Sequence, residues 1–285
     1  MAAGRNRYAY HDGLRIAYEV RRSRWRRRPW MVLVQGLGFD RSGWAPVVDG
    51  LAHHFALLLV DNRGSGRSDQ PGQRLVVADM ARDVLAVLAA ADVPRATVVG
   101  ASLGGMIAQE VAIIDGTRVD SLVLACTTPG WPFAYPMPAE SMALLSETGR
   151  MPAEVALRRH VENALAPETV RNRPDLVERL MDHQRDRRGG AGGWYAQLAA
   201  GARFGDLRQG SITAPTLVMH GTEDRVVDPR NARLLAERIP HARLMMLPGL
   251  GHLFFWEAPD AFIDAVTRFA LAPPPVAALP RKETS

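Results

Sequence analysis

A serine set between glycines two residues before and two residues after it, in Gly100-Ala101-Ser102-Leu103-Gly104-Gly105, is the clearest chemistry-bearing feature of this sequence. A G-x-S-x-G run suits a turn sharp enough to push the hydroxyl clear of its surroundings, and only Gly or small residues tolerate the crowding beside it. A serine hydroxyl is a weak nucleophile until a base takes its proton, so the chain must also supply a histidine and an acid to orient it. His252, in Gly249-Leu250-Gly251-His252-Leu253, lies in a glycine-rich loop that can carry it across to a serine. Asp224, in Gly221-Thr222-Glu223-Asp224, supplies the acid. The order is Ser102, Asp224, His252, and the chemistry such a set performs is acyl transfer through a covalent intermediate. The oxyanion formed on the way needs two backbone N–H donors. Leu103, directly after the serine, is one, and Leu37, in Gln35-Gly36-Leu37-Gly38, is the other.

Each residue also has a plainer reading. The serine run can be a tight turn, His252 a loop histidine, Asp224 a helix cap, and residues 35–38 an ordinary glycine turn. Three members in order, each following a predicted strand, favour the chemical reading. Among the other histidines, His220 ends a strand beside the acid and reads as packing under the site or hydrogen-bonding locally. His53, His54, His160, His183 and His241 fall in predicted helices or at their ends. Glu223 competes with Asp224 as the acid, and Asp61, after another strand, reads as structural.

Positioning these groups takes strands that end side by side. Short apolar runs bounded by Gly, Pro or Asp predict strands at 31–35, 56–60, 97–101, 122–126, 216–220 and 243–247. Helical patterns fall at 75–91, 103–114, 229–238 and 258–270. The alternation predicts an α/β fold with a mostly parallel central sheet flanked by helices. Runs 8–11 and 14–20 flank Asp12-Gly13, a hairpin signal that adds an antiparallel edge. The serine then sits on a strand-to-helix turn, and the acid and histidine each follow a strand. Between 128 and 213 helical stretches succeed one another without a strand, which predicts a helical lid. The expected layout is an α/β core at 1–127 and 214–271, a lid at 128–213, and a tail at 272–285 with little order. Pro-rich 128–138 leads into the lid, and the glycines of 189–193 read as a flexible joint within it.

Composition narrows the class. With 47% hydrophobic and 23% charged residues in 285, the chain is neither disordered nor fibrous. Its longest apolar stretches fall far short of the roughly 20 residues that span a bilayer, and residues 1–10 carry no apolar signal segment. A cytoplasmic protein without a membrane partner is expected. Cys126 is the one cysteine, so neither an internal disulfide nor a cysteine-based zinc site is expected. Net charge is +5, and Lys282 is the one lysine among 35 basic residues. The arginine run 21–28 could touch phosphates, but a solvated hairpin loop explains it, and no nucleic-acid partner is expected. The expected partner is a small-molecule substrate, with no metal or organic cofactor; oligomeric state is left open.

Four motifs together resemble α/β-hydrolases of the esterase and enol-lactonase type, over nearly the whole chain. They are Gln35-Gly36-Leu37-Gly38, Asp61-Asn62-Arg63-Gly64-Ser65-Gly66-Arg67-Ser68, the serine turn with Met106-Ile107-Ala108-Gln109, and Gly251-His252 with Glu257-x-Pro259. The resemblance implies a serine hydrolase acting through an acyl-enzyme on an ester, lactone or related acyl bond of a small to medium, partly apolar substrate. It equally admits a tailoring hydrolase or cyclase, a carbon–carbon bond hydrolase, or a receptor with little turnover. Relatives that are dehalogenases or epoxide hydrolases use Asp as nucleophile, so Ser102 argues against both. Relatives usually carry His where this chain has Gln35, which implies an altered but working oxyanion loop. Trp131, Phe133, Tyr135, Trp194, Tyr195 and Phe204, all in the expected lid, are candidates to line an apolar substrate cavity.

Overall fold

Asp12 and Gly13 both take positive φ, 50° and 74°, the backbone of a two-residue type I′ turn. They join β1 (Asn6–His11) to β2 (Leu14–Arg21), with His11 opposite Leu14. The computed structural model describes residues 6–21, 28–72, 74–185, 190–205 and 208–272. Within it this hairpin is the edge of an eight-stranded sheet. The other strands are β3 (Trp30–Val34), β4 (Ala56–Val60), β5 (Ala96–Ala101), β6 (Val119–Ala125), β7 (Thr216–Gly221) and β8 (Arg243–Leu247). Their order is β1-β2-β4-β3-β5-β6-β7-β8, antiparallel as far as β2–β4 and parallel from there on.

Apolar runs without alternation are what a parallel sheet covered on both faces demands. Val32, Val34, Leu58, Val60, Val98 and Leu122 face one layer, built by α2 (Val77–Ala90) and α3 (Leu103–Ile114). Met31, Leu33, Leu57, Leu59, Val99 and Val123 face the other, built by α1 (Ala45–Ala52), a late turn α10 (Phe254–Glu257) and α11 (Pro259–Leu271). The remaining core helix, α9 (Arg230–Arg238), sends Ala232 and Leu235 into the first layer. Six expected strands lie where the apolar runs put them. β6 starts at Val119 rather than 122 because exposed Asp120, paired with Arg95, interrupts the run. α1 has no bounds in the sequence reading, which places a helix there only through His53 and His54.

Between β6 and β7 lie α4 (Ala139–Glu147), α5 (Ala153–Asn163), α6 (Pro167–Asn172), α7 (Pro174–Arg185) and α8 (Ala191–Ala202). The reading of 189–193 as a joint is corrected: Gly192 and Gly193 are helical residues of α8. Gly193 is buried because its lack of a Cβ lets α8 touch the backbone of Gly64. Gly189, residues 22–27 of the arginine run, and the tail from 273 on lie outside the described residues. No helix of the described residues is long and apolar enough to cross a membrane.

Candidate active site

The strand register sets the site. Ala101 pairs with Ala125, Ala125 with Met219, and Gly221 with Leu247, so the loops after β5, β6, β7 and β8 leave the sheet along one carboxyl edge. Ser102 comes first, at the turn between β5 and α3, with φ 54° and ψ −119°. For a non-glycine residue this backbone costs on the order of 1–3 kcal/mol and persists only where its surroundings enforce it. Here the enforcement is visible. Ser102 N–H donates to Ala125 O at 2.9 Å, and its carbonyl accepts from Thr127 Oγ1 at 2.8 Å. A side chain at Gly100 would be driven into the Gly104 carbonyl, and one at Gly104 into the Val34 carbonyl. Ser102 is half-buried, and the free N–H end of α3 begins at Leu103.

The turn after β3 lies against this serine. A Cβ built on Gly36 would stand 3.0 Å from Ser102 Cβ and 3.6 Å from Oγ, so the loop backbone borders the hydroxyl. Gly36 N–H donates to Gln35 Oε1 at 3.0 Å, while the Gln35 carbonyl accepts from Asn62 Nδ2 at 2.8 Å. The side chain at 35 therefore braces its own turn. Gln35 Nε2 is buried without a partner among the described residues. Leu37 N–H and Leu103 N–H make no hydrogen bond among the described residues, which leaves both amides unspent.

Asp224 and His252 are brought into direct contact. His252 Nδ1 lies 2.7 Å from Asp224 Oδ2, and both side chains are buried. An ionised carboxylate only accepts, so Nδ1 carries the proton and Nε2 is left as the basic nitrogen. The other carboxylate oxygen accepts from Val226 N–H at 2.8 Å and Val227 N–H at 2.9 Å, which locks the acid in place. His220, fully buried, sets its Nε2 2.9 Å from Asp224 Oδ2 and 3.1 Å from the Val227 carbonyl. Both neighbours are acceptors, so His220 Nε2 is a donor. Burial is the largest influence on Asp224 and opposes its charge. The charge and hydrogen bonds of His252 and His220 outweigh it and hold the carboxyl well below the usual carboxylate range. Glu223 is exposed and only its backbone is tied, to Leu250 O. Asp61 accepts from Arg41 and from the N–H of Arg67, and burial raises its carboxyl above the ordinary range. Those bonds fold the 61–68 loop. Cys126, beside Asp224, is buried, and burial pushes its thiol far up, which excludes a ready thiolate.

Several polar fastenings between the helical insertion and these loops were missed by sequence reasoning. Glu257 Oε1 accepts Gly251 N–H at 2.8 Å while Oε2 accepts Ala166 N–H at 3.2 Å, which ties the histidine loop to the start of α6. Arg225 donates to the carbonyls of Glu162 and Leu165 at 2.7 and 3.1 Å, fastening the acid loop to α5. Gln197 of α8 reaches the turn at Gly38 and the 61–68 loop. The expectation of one apolar cavity lined by the insertion's aromatics is corrected. Trp131 is 70% exposed, Tyr195 62%, Phe133 42% and Tyr135 38%. Phe133 and Tyr135 are covered by the guanidinium groups of Arg238 and Arg230 at 4.1 and 4.0 Å, an arrangement suited to a surface. Trp194 packs edge-on against Tyr195, and Phe204 belongs to the core.

A family model described as the alpha/beta hydrolase fold matches residues 29–259, which takes in every strand from β3 to β8 and Ser102, Asp224 and His252. The chain belongs to the α/β-hydrolase fold family. Within that family it is 33% identical over 248 residues to a 2-hydroxy-6-oxononadienedioate/2-hydroxy-6-oxononatrienedioate hydrolase of Cupriavidus pinatubonensis, covering 84% of this chain and 86% of that protein. It is 28% identical over 254 residues to a pimeloyl-[acyl-carrier protein] methyl ester esterase of Nitrosospira multiformis, covering 85% and 94%. Among solved structures, the enol-lactonase of Burkholderia xenovorans superposes with a TM-score of 0.79 at 28% identity, covering 92% of this chain and 99% of that one. These three relatives are thus, by name, a dioate hydrolase, a methyl ester esterase and an enol-lactonase.

Proposed function

We propose that the protein is a Ser-His-Asp carboxylester or lactone hydrolase acting through an acyl-enzyme on a small to medium, partly apolar substrate. The observation that carries this reading is Ser102 held at φ 54°, ψ −119° on the carboxyl edge where Asp224 and His252 meet at 2.7 Å. Ser102 Oγ attacks the carbonyl carbon as its proton passes to His252 Nε2. Leu37 N–H and Leu103 N–H receive the oxyanion. The tetrahedral intermediate collapses, the ester bond breaks, and the leaving oxygen takes the proton from His252. Water then attacks the acyl-enzyme, giving its proton to His252, and the acid departs as Ser102 is restored. Asp224, kept ionised by its four donors, holds His252 in the tautomer the first step requires.

A second reading, cleavage of a carbon–carbon bond beside a ketone, is favoured by the 33% identity to the Cupriavidus hydrolase. It would begin at the same three residues. The test is a fluorophosphonate probe together with a panel of p-nitrophenyl esters, enol-lactones and vinylogous 1,5-diketones, run on wild type and Ser102→Ala. Covalent labelling and ester or lactone turnover, both lost in Ser102→Ala, are expected. Turnover surviving in Ser102→Ala overturns the proposal, and turnover of diketones alone transfers it to the second reading.

A further inference from the structure

Resting on the reading of Leu37 as an oxyanion donor, we infer that Gln197, in the helical insertion, is a positioning residue for that donor. Gln197 is fully buried on α8. Its Nε2 donates to the Arg63 carbonyl at 2.8 Å and to Ser65 Oγ at 2.9 Å, so both amide hydrogens are spent on the loop after β4. That fixes the plane of the side-chain amide and aims Oε1 at Gly38 N–H, 3.4 Å away. The last contact is long for a hydrogen bond; the two short ones hold the oxygen in place.

The consequence lies in which amides of the turn are restrained. Gly36 N–H is taken by Gln35 Oε1 and Gly38 N–H faces Gln197 Oε1, so the amide of Leu37 is bracketed by two glutamine side chains. Gly38 sits at φ 75°, where nothing in its own side chain can hold the turn. Gln35 acts from the core, and Gln197 acts from a helix more than a hundred residues later. α8 can bring it there because two glycines on the same helical face let the backbone approach: Gly193 touches Gly64, and Gly201 lies over Leu103. One face of α8 therefore reaches from Gly64 to the Leu103 side chain, with Gln197 at its centre on the amide next to Leu37. An oxyanion hole lowers the barrier only when its donors are fixed before charge develops, so loosening this turn should affect the transition state more than substrate binding.

The test compares wild type with Gln197→Met, which keeps size but removes every hydrogen bond, and with Ser65→Ala, which removes one anchor of the amide without touching α8. Turnover of a p-nitrophenyl ester and affinity for an aryl trifluoromethyl ketone, which forms an oxyanion on Ser102, are measured for each. Removing an oxyanion donor outright costs about 10²–10³ in kcat, so displacing one is expected to lower kcat about 10- to 100-fold in Gln197→Met. KM should stay near the wild-type value, ketone affinity should fall in proportion to kcat/KM, and Ser65→Ala should show a smaller loss of the same form. Unchanged kcat in both variants, or a fall in kcat with ketone affinity intact, overturns the inference. If Gln197→Met does not fold, the same two measurements on Ser65→Ala decide it. A wild type that turns over no ester and binds no ketone refutes the hydrolase reading and this inference with it, whereas an active wild type with indifferent variants refutes the inference alone.

Discussion

Asp224→Asn puts the proposed tautomer control to a severe test, because the two structures differ by one exchange of oxygen for NH₂. One carboxylate oxygen accepts from Val226 and Val227 N–H at 2.8 and 2.9 Å, and an Asn carbonyl will take that place, since only it can accept. The amide nitrogen then faces His252 Nδ1 and His220 Nε2, where the wild type has an acceptor at 2.7 and 2.9 Å. Because the new group only donates, His252 must present a bare Nδ1 and carry its proton on Nε2. That nitrogen can no longer take a proton from Ser102. His220 can keep its Nε2 proton on the Val227 carbonyl, 3.1 Å away, and forgo its bond to residue 224. The stability cost is therefore expected at about 1.5–3 kcal/mol for each of the two bonds to the charged carboxylate that are lost, from His252 and from His220. The catalytic cost is separate. A wrong tautomer in a serine protease triad lowers kcat about 10⁴-fold, which corresponds to about 5 kcal/mol of barrier at about 1.4 kcal/mol per decade. The assay is kcat on a p-nitrophenyl ester, with active sites counted by fluorophosphonate labelling and folding checked by circular dichroism. Glu223→Gln, altering an exposed neighbour, serves as control and should match wild type. A folded Asp224→Asn enzyme retaining kcat within about tenfold of wild type, a loss of about 1.4 kcal/mol or less, would refute the argument.

His220→Leu removes one of the hydrogen bonds that depress the Asp224 carboxyl, so its folded-state value should move back up. An acid whose folded value is depressed stabilises the fold above its unfolded value, about 3.9, and loses that contribution as pH falls through the folded value. The stability gap between wild type and His220→Leu, read from urea midpoints, should be steady above about pH 4 and narrow below it; a gap that widens in acid contradicts this. Gly104→Ala would press a methyl into the Val34 carbonyl and move β3 away from α3. Loss of soluble protein or of all fluorophosphonate labelling is expected, and wild-type labelling would show the elbow to be slack. Arg63→Met strands Asp83, which is buried and paired with Arg63 at 2.6 Å. A loss of about 3–5 kcal/mol in denaturant unfolding is expected; His11, 2.7 Å from Asp83, is the remaining partner, and a loss below about 1 kcal/mol, the scale of an exposed pair, would mean it suffices.

What could be read from the sequence were the features with a local signature. The strands β3 to β7 announced themselves because burial on both faces leaves an unbroken apolar run, as Ala56–Val60 shows with all five residues buried. Ser102 was legible because a turn this tight admits only small residues around it, and that restriction is written in the neighbouring positions. Asp224 and His252 were legible through the strands they follow. The aromatics failed for the converse reason. A Phe or Tyr in a helical insertion has the same local sequence whether it lines a cavity or lies under an arginine, as Phe133 and Tyr135 do.

The fastenings between insertion and core belong to a third kind, with no signature at all. Gln197 bonds to Gly38 across 159 positions and to Arg63 across 134, and Glu257 reaches Ala166 across 91. A buried amide or carboxylate must be satisfied, yet nothing in its own neighbourhood says by which partner. Such groups converge on the turn at 35–38 and on the loops that carry Asp224 and His252, each the end of a connection that no strand pairing restrains. A helical insertion free to swing away would break together the contacts of Gln197 with Gly38 and Arg63, of Glu257 with Ala166, and of Arg225 with the carbonyls of Glu162 and Leu165. Motion that admits a substrate is therefore expected to spare these contacts and to lie in the parts of the insertion that touch no such loop.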